Sequence, residues 1–243
     1  MRLNKFLASI GIFSRREADK AIEAGRVSIN GSVAGLGATV EDNDLVSLDG
    51  KYIATGSDSK NVTPIIIAFN KPMGIVCTTS DNDGAMNVVD YIGMRERIYP
   101  VGRLDKDSSG LLLLTNQGGL TNSLLKASNY HEKEYIVRVN KEIDDDFINK
   151  MQNGIYLHEL GVKTRKCKVK KLNKNTFSIV LTQGLNRQIR RMCAFLGMKV
   201  QKLKRVRIVN IKLDGLAEGE YRNLRDDEAK KLYKELGING INL

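Results

Sequence analysis

Apolar residues at Leu3, Phe6, Leu7 and Ile10 recur at helical spacing from the start of the chain, and Gly11 supplies a stop, so the pattern predicts a first helix. Ser14-Arg15-Arg16-Glu17 has the form of a capping box and predicts a second helix ending at Gly25. Val27–Ile29 and Ser32–Val33 then flank Asn30-Gly31, a dipeptide that tolerates the two positive φ angles of a tight hairpin turn. Leu45–Leu48 reads as a further strand before the Asp49-Gly50 turn. Residues 54–63 (ATGSDSKNVT) are polar and turn-forming, which predicts a connection rather than an element. We therefore divide the chain into a small module over 1–55, a linker over 56–64 and a larger domain over 65–243.

The larger domain opens with an apolar strand, Ile65–Phe69, and a tight turn over Asn70-Lys71-Pro72-Met73-Gly74, whose proline and glycine suit fixed and permissive φ. Leu111–Leu114 is a short apolar run bounded by turn residues, the mark of a buried strand. Thr121–Lys126 reads as a short helix and Tyr135–Val139 as a strand. Lys166, Lys168 and Lys170 alternate with Cys167 and Val169, which predicts one strand face carrying three lysines, with Phe177–Thr182 as its partner. Asn186–Leu196 reads as a helix capped by Asn186, with Ile189, Met192, Cys193 and Leu196 on its apolar stripe and Gly197 just past its end. Asp226–Leu236 predicts a last helix. Helices and strands are mixed without an internal repeat, so the element mix is α+β.

Charge sharpens this picture. Of 39 Lys and Arg residues, 16 lie between Leu160 and Leu213, a window without Asp or Glu, and the remainder carries 23 basic against 28 acidic residues. The net charge of +11 thus comes from one segment, the footprint expected of a phosphate-backbone partner. The small module is polarised too: Arg2, Lys5, Arg15 and Arg16 sit on its two helices, and Glu41, Asp42, Asp44 and Asp49 follow them. No segment reaches membrane-spanning length and no charged-then-apolar leader opens the chain, so no membrane partner is expected, while the odd number of scattered cysteines predicts a reducing, cytoplasmic setting. Three scattered cysteines argue against a disulfide framework, and two histidines without a CxxC or HxxxH pair argue against a zinc site. Neither GxGxxG nor GxxxxGK[ST] occurs, so no cofactor and no metal are expected.

The chemistry is concentrated in Gly102-Arg103-Leu104-Asp105-Lys106-Asp107-Ser108-Ser109-Gly110, which sets carboxylates in a turn held by the four-leucine strand. Taken alone, Asp105, Asp107, Ser108 and Ser109 would also suit a turn that satisfies its own backbone donors. Arg187, Arg190 and Arg191 flank a helix start, an arrangement suited to anions.

Gly102-Arg103-Leu104-Asp105 followed by Ser109-Gly110-Leu111-Leu112 resembles the signature of the RsuA-type ribosomal pseudouridine synthases. Residues 2–31 resemble the S4-like RNA-binding domain that precedes the catalytic domain in that family. Asn70–Gly74, 131–137 (HEKEYIV), 165–172 (RKCKVKKL) and 182–193 (TQGLNRQIRRMC) resemble its catalytic domain, and the last two segments look most like members acting on large-subunit ribosomal RNA. Tyr221 and Arg225 depart from the family, which often has Trp and Thr there.

The resemblance implies an α+β fold: a small S4-like domain, then a domain built on a mixed, mainly antiparallel sheet with flanking helices. It implies isomerisation of uridine to pseudouridine in RNA without metal or cofactor, by a monomer acting on ribosomal RNA, with transfer RNA as an additional partner. Asp105 takes the place of the catalytic carboxylate, Arg190 that of its charge partner, and Tyr135 that of the active-site tyrosine. Arg103 takes the place of the residue that fills the space of the extruded base. Arg187, Arg191, Lys166, Lys168, Lys170, Arg2, Lys5, Arg15 and Arg16 are expected to meet RNA, and His131 to be structural or to stack on RNA. The competing class is a non-catalytic RNA-binding assembly factor on the same first module. A Mg²⁺-dependent nuclease would need clustered acids, for which only Asp105 and Asp107 offer themselves.

Overall fold

Two helices, α1 (Leu3–Ser9) and α2 (Arg15–Glu23), pack on a four-stranded sheet of β1 (Val27–Ile29), β2 (Ser32–Val33), β3 (Leu45–Leu48) and β4 (Lys51–Thr55) in a computed structural model that describes residues 1–78, 84 and 86–238. Leu3, Phe6, Leu7, Ala18, Ile22, Val27 and Val46 close its core. The capping box forms: Ser14 N donates to Glu17 Oε2 at 2.6 Å, and Glu17 N to Ser14 Oγ at 3.1 Å. Asn30 and Gly31 adopt φ of 50° and 81°, as the hairpin requires.

The expected linker has structure of its own. Residues Gly56–Lys60 form a 3₁₀ turn that docks on the small module through Gly56 N to Asp44 O at 3.0 Å and Ser57 N to Asp42 O at 2.9 Å. Polar residues that read as a spacer instead cap this turn, because the Asp58 carboxylate accepts from Thr55 N at 2.7 Å.

In the larger domain the strands are β5 (Ile66–Lys71), β6 (Tyr99–Pro100), β7 (Ser109–Thr115), β8 (Lys133–Val139), β9 (Tyr156–Leu157), β10 (Val162–Lys163), β11 (Lys168–Asn173), β12 (Thr176–Leu181), β13 (Val200–Ile208), β14 (Ile211–Lys212) and β15 (Tyr221–Asn223). Its helices are α3 (Val88–Ile92), α4 (Gly118–Leu125), α5 (Asp145–Asn153), α6 (Gln188–Phe195) and α7 (Asp226–Glu235). Its main sheet runs β11-β12-β8-β13-β7-β5-β15, with β14 on β13 and β6 on β7; only β13 and β7 pair in parallel. Leu111 and Leu113 face a core shared with α4 and α7, while Leu112 and Leu114 face one with Val88 and Ile98. The unbroken leucine run thus follows from burial on both faces. Residues 79–83, 85 and 239–243 of the 65–243 span lie outside the described residues.

Three local expectations are corrected. Asn70 and Lys71 belong to β5, 1 % and 0 % exposed, and the turn is confined to Pro72–Gly74, since ladder pairing with β7 continues to Lys71 opposite Gly110. Lys166 precedes β11, so Lys168 and Lys170 remain on the exposed strand face without it. Helix α6 starts at Gln188, and its cap is Arg187 in the left-handed region (φ 49°) with no side-chain cap, rather than Asn186.

Candidate active site

The signature turn is tied down from three directions. Ser108 N donates to Asp105 O at 3.0 Å, closing the turn before β7. Gly74 N donates to Lys106 O at 2.8 Å, so the Pro72–Gly74 turn is docked on it. Leu104 N donates to Cys77 Sγ at 3.3 Å. Lys71 sits inside that support, its Nζ donating to Pro72 O and Ile75 O, each at 2.8 Å. Burial pulls the Lys71 ammonium below its ordinary range, against the opposing pull of Cys77, Asp105 and Asp107.

Asp105 opens into a cleft of about 570 Å³ lined also by Arg103, Tyr135, Arg187 and Arg190. The structure brings these five together from separate parts of the chain. Arg187 Nη1 lies 3.4 Å from Asp105 Oδ2 and 3.2 Å from Asp107 Oδ1, and its Nη2 lies 3.1 Å from Asp107 Oδ2. Arg190 reaches Asp107 and Ser108: its Nη2 is 2.8 Å from Asp107 O, 3.2 Å from Ser108 Oγ and 3.3 Å from Asp107 Oδ2. The ion-pair partner of Asp105 is therefore Arg187, not Arg190 as expected. The left-handed cap turns the Arg187 side chain back over the signature turn, while Arg190, one helical turn on, reaches the turn's backbone.

Asp107 binds both arginines. Partial burial pushes its carboxyl up, but the Arg187 hydrogen bond and the charges of Arg190 and Arg187 outweigh this and hold it below the usual carboxylate range. The same bond, with Asp107 and Asp105 adjacent, raises Arg187 above its ordinary value.

Most of the other expected residues lie outside the cleft. Arg191 does not line the cleft; its Nε donates to the cleft residue Asn186, at its carbonyl, over 3.1 Å, and its guanidinium pairs with Glu159. Arg187 pairs with both carboxylates of the turn while its side chain stays 43 % exposed. Lys168 lies 3.7 Å from Glu132, and Lys166 and Lys170 are exposed. Arg2, Lys5, Arg15 and Arg16 are all exposed on the small module. His131 lines the cleft with its Nε2 unpartnered; burial and then Lys133 lower its pKa.

Four residues escaped sequence reasoning: Lys71, Asp107 as the arginine anchor, Lys133 and Arg205. Lys133, two residues before Tyr135 and so on the same strand face, lines the cleft. Its Nζ donates to His131 O at 3.3 Å, and burial, with repulsion from Arg205, lowers its pKa to about 8. Strand periodicity does place Lys133 beside Tyr135. Nothing in the local pattern marks Arg205, whose burial depends on β7.

This arrangement, a carboxylate turn facing a tyrosine-bearing strand and an arginine-rich helix start, defines a class. Residues 65–195 match the RNA pseudouridylate synthase family and residues 1–46 match the S4 domain. The chain belongs to the RNA pseudouridylate synthases and is an RNA pseudouridine synthase with an N-terminal S4 domain. Among individual relatives, it is 50 % identical over 234 residues to the dual-specificity RNA pseudouridine synthase RluF of Escherichia coli O6:H1, covering 96 % of this chain and 79 % of that one. It is 35 % identical over 237 residues to ribosomal large subunit pseudouridine synthase B of Bacillus subtilis, covering 95 % of each. A crystal structure of a pseudouridylate synthase superposes with a TM-score of 0.69 at 29 % identity, covering 96 % of this chain and 99 % of that one.

Proposed function

We propose that this protein isomerises uridine to pseudouridine in ribosomal RNA of the large subunit, with Asp105 as the catalytic carboxylate. The observation that carries the site assignment is the convergence of Asp105, Tyr135, Arg103, Arg187 and Arg190 on one cleft. The RNA assignment rests on the names of the relatives and on the exposed cations of the S4 domain. A dual-specificity relative supports a second RNA substrate, for which transfer RNA is our candidate. We read the protein as a cytoplasmic monomer; no helix among the described residues is long and apolar enough to cross a membrane.

The reaction breaks the bond from the anomeric carbon to N1, turns the uracil and joins the same carbon to carbon 5. Carbon 5 loses its proton and N1 gains one, so the overall change is an isomerisation. Asp105 acts on the sugar in its ionised form, as nucleophile at the anomeric carbon or as base toward a sugar proton. Arg187 supplies its counter-charge. Arg190 holds the carbonyl of Asp107 and the hydroxyl of Ser108, fixing the turn on which Asp105 stands. Tyr135 offers a ring for stacking and a hydroxyl for proton transfer. Arg103, exposed at the rim, fills the space left in the RNA by the extruded base.

Asp105→Asn keeps shape and removes charge, so it should abolish pseudouridine formation while changing RNA affinity less than about threefold, as expected for an interaction used only in the transition state. Asp107→Asn should retain measurable turnover. Mapping of pseudouridine in ribosomal RNA treated with each variant decides it: an active Asp105→Asn with a dead Asp107→Asn would move the catalytic role to Asp107.

A further inference from the structure

The inner wall of the cleft carries a cation that the scheme above leaves unused. Arg205 is 3 % exposed and lines the cleft. Its Nε donates to Leu111 O at 2.6 Å and its Nη1 to Arg103 O at 3.4 Å, so it spans both ends of the turn that holds Asp105. Its Nη2 is buried and has no partner among the described residues, and the side chain makes no ion pair there. An unsatisfied buried donor is costly, and more so when it is charged.

Sheet register explains how the chain holds Arg205 in place. Arg205 stands opposite Tyr135 on β8 and opposite Gly110 on β7. The ladder with β8 is irregular between Arg205 and Arg207, and such bulges re-aim side chains beside active sites. A β carbon at Gly110 would fall 2.2 Å from Arg205 O, so the two backbones approach more closely than any other residue allows. Neighbouring Lys133 is also cationic, which leaves the wall beside Tyr135 rich in donors and poor in acceptors.

We propose that Arg205 is a base-recognition residue, its free Nη2 donating to a carbonyl oxygen of the uracil that enters the cleft. A backbone phosphate stays with the strand outside, whereas an extruded base enters an active-site pocket, and the base brings carbonyl acceptors beside the Tyr135 ring. A charged planar donor suits a carbonyl and rejects an amino group in its place. This assignment rests on the Asp105 cleft being the site of isomerisation.

The test uses the full-length protein and a ribosomal RNA fragment that it modifies, with uridine, 2-thiouridine or 4-thiouridine at the target. Sulfur is a weak acceptor, and tritium release from carbon 5 reports turnover. Wild type should lose kcat/KM on the order of tenfold for one of the two thio-substrates, the scale of one charged hydrogen bond. Arg205→Lys, which keeps the charge but loses the fork, and Arg205→Gln should be slower on uridine. Each should show that thio penalty reduced to about twofold or less, the signature of coupled groups. Equal thio penalties in wild type and variants would overturn the proposal, leaving Arg205 with its structural bonds alone. If neither variant folds, wild type decides: both thio-substrates turned over within about twofold of uridine also overturn it. Full activity in Asp105→Asn would instead overturn the site assignment, so the two failures are distinct.

Discussion

Arg187 and Arg190 come from one helix end yet meet different atoms, and their substitutions should differ accordingly. Arg187→Met removes the counter-charge shared by Asp105 and Asp107, and should lower kcat roughly 10–100-fold, the equivalent of one charge-assisted hydrogen bond. Arg190→Met removes bonds to Asp107 O and Ser108 Oγ, the latter residue fully buried, and should lower thermal stability as well as kcat. Steady-state kinetics paired with thermal melts separates them: a melting loss in Arg187→Met and none in Arg190→Met contradicts the assignment. Lys133 gives a pH test. Its folded pKa near 8 lies below the ordinary lysine value of 10.5, so between these values the unfolded chain binds more protons than the folded one. Stability contributed at this position therefore rises with pH across that window and is flat outside it. Wild type should gain stability over Lys133→Met from pH 8 to pH 10.5 in denaturant titrations; a constant difference refutes the burial of a charged amine.

At the scale of elements, the parallel pairing of β7 with β13 is the joint on which the site hangs. It comprises two residue pairs, Lys204 with Ser109 and Arg205 with Gly110, and the second has no room for a side chain. Gly110, at φ 103°, is also in a conformation that other residues rarely adopt. Gly110→Ala should therefore cost about 2 kcal/mol or more and remove activity, since Arg205 and the Asp105 turn shift together. Gly119→Ala is the control: it lies in helix α4, is itself exposed, and has nothing within 4 Å of an added β carbon. It should be neutral or stabilise by up to about 1 kcal/mol. Thermal melts and turnover on the same two proteins test both statements.

The whole molecule joins two modules. Arg97 bridges them, its Nη1 donating to Phe13 O at 2.7 Å and its Nη2 lying 3.3 Å from Glu17 Oε2. The 56–60 turn docks on Asp42 and Asp44 of the small module, so we propose a division after Lys60. A fragment starting there should keep turnover at saturation and bind long ribosomal RNA more weakly. Its plot of log K against log salt should be shallower than that of the intact protein by roughly 0.7–0.9 for each phosphate that the S4 domain neutralises. Charge reversal at Arg15 and Arg16, both exposed at the start of α2, should reproduce part of that change without unfolding. Identical salt slopes for intact protein and fragment would show that the S4 domain does not touch RNA.

Much of the local structure was legible along the chain. The capping box at Ser14, the Asn30-Gly31 hairpin, the four-leucine strand and the last helix all form where periodicity and turn chemistry placed them, because these signals act over a few residues. The family, too, was legible in motifs whose order and spacing survive in the sequence. Which arginine meets Asp105 was not, since the partners stand 82 residues apart and the left-handed backbone of Arg187 decides the matter. Along the chain Lys71 reads as a turn residue and Arg205 as one more cation of a basic segment. Their burial, and with it the charge balance of the cleft, arises when β5, β7 and β13 come together in the sheet, and desolvation is a property of the neighbours that packing supplies rather than of the residue itself.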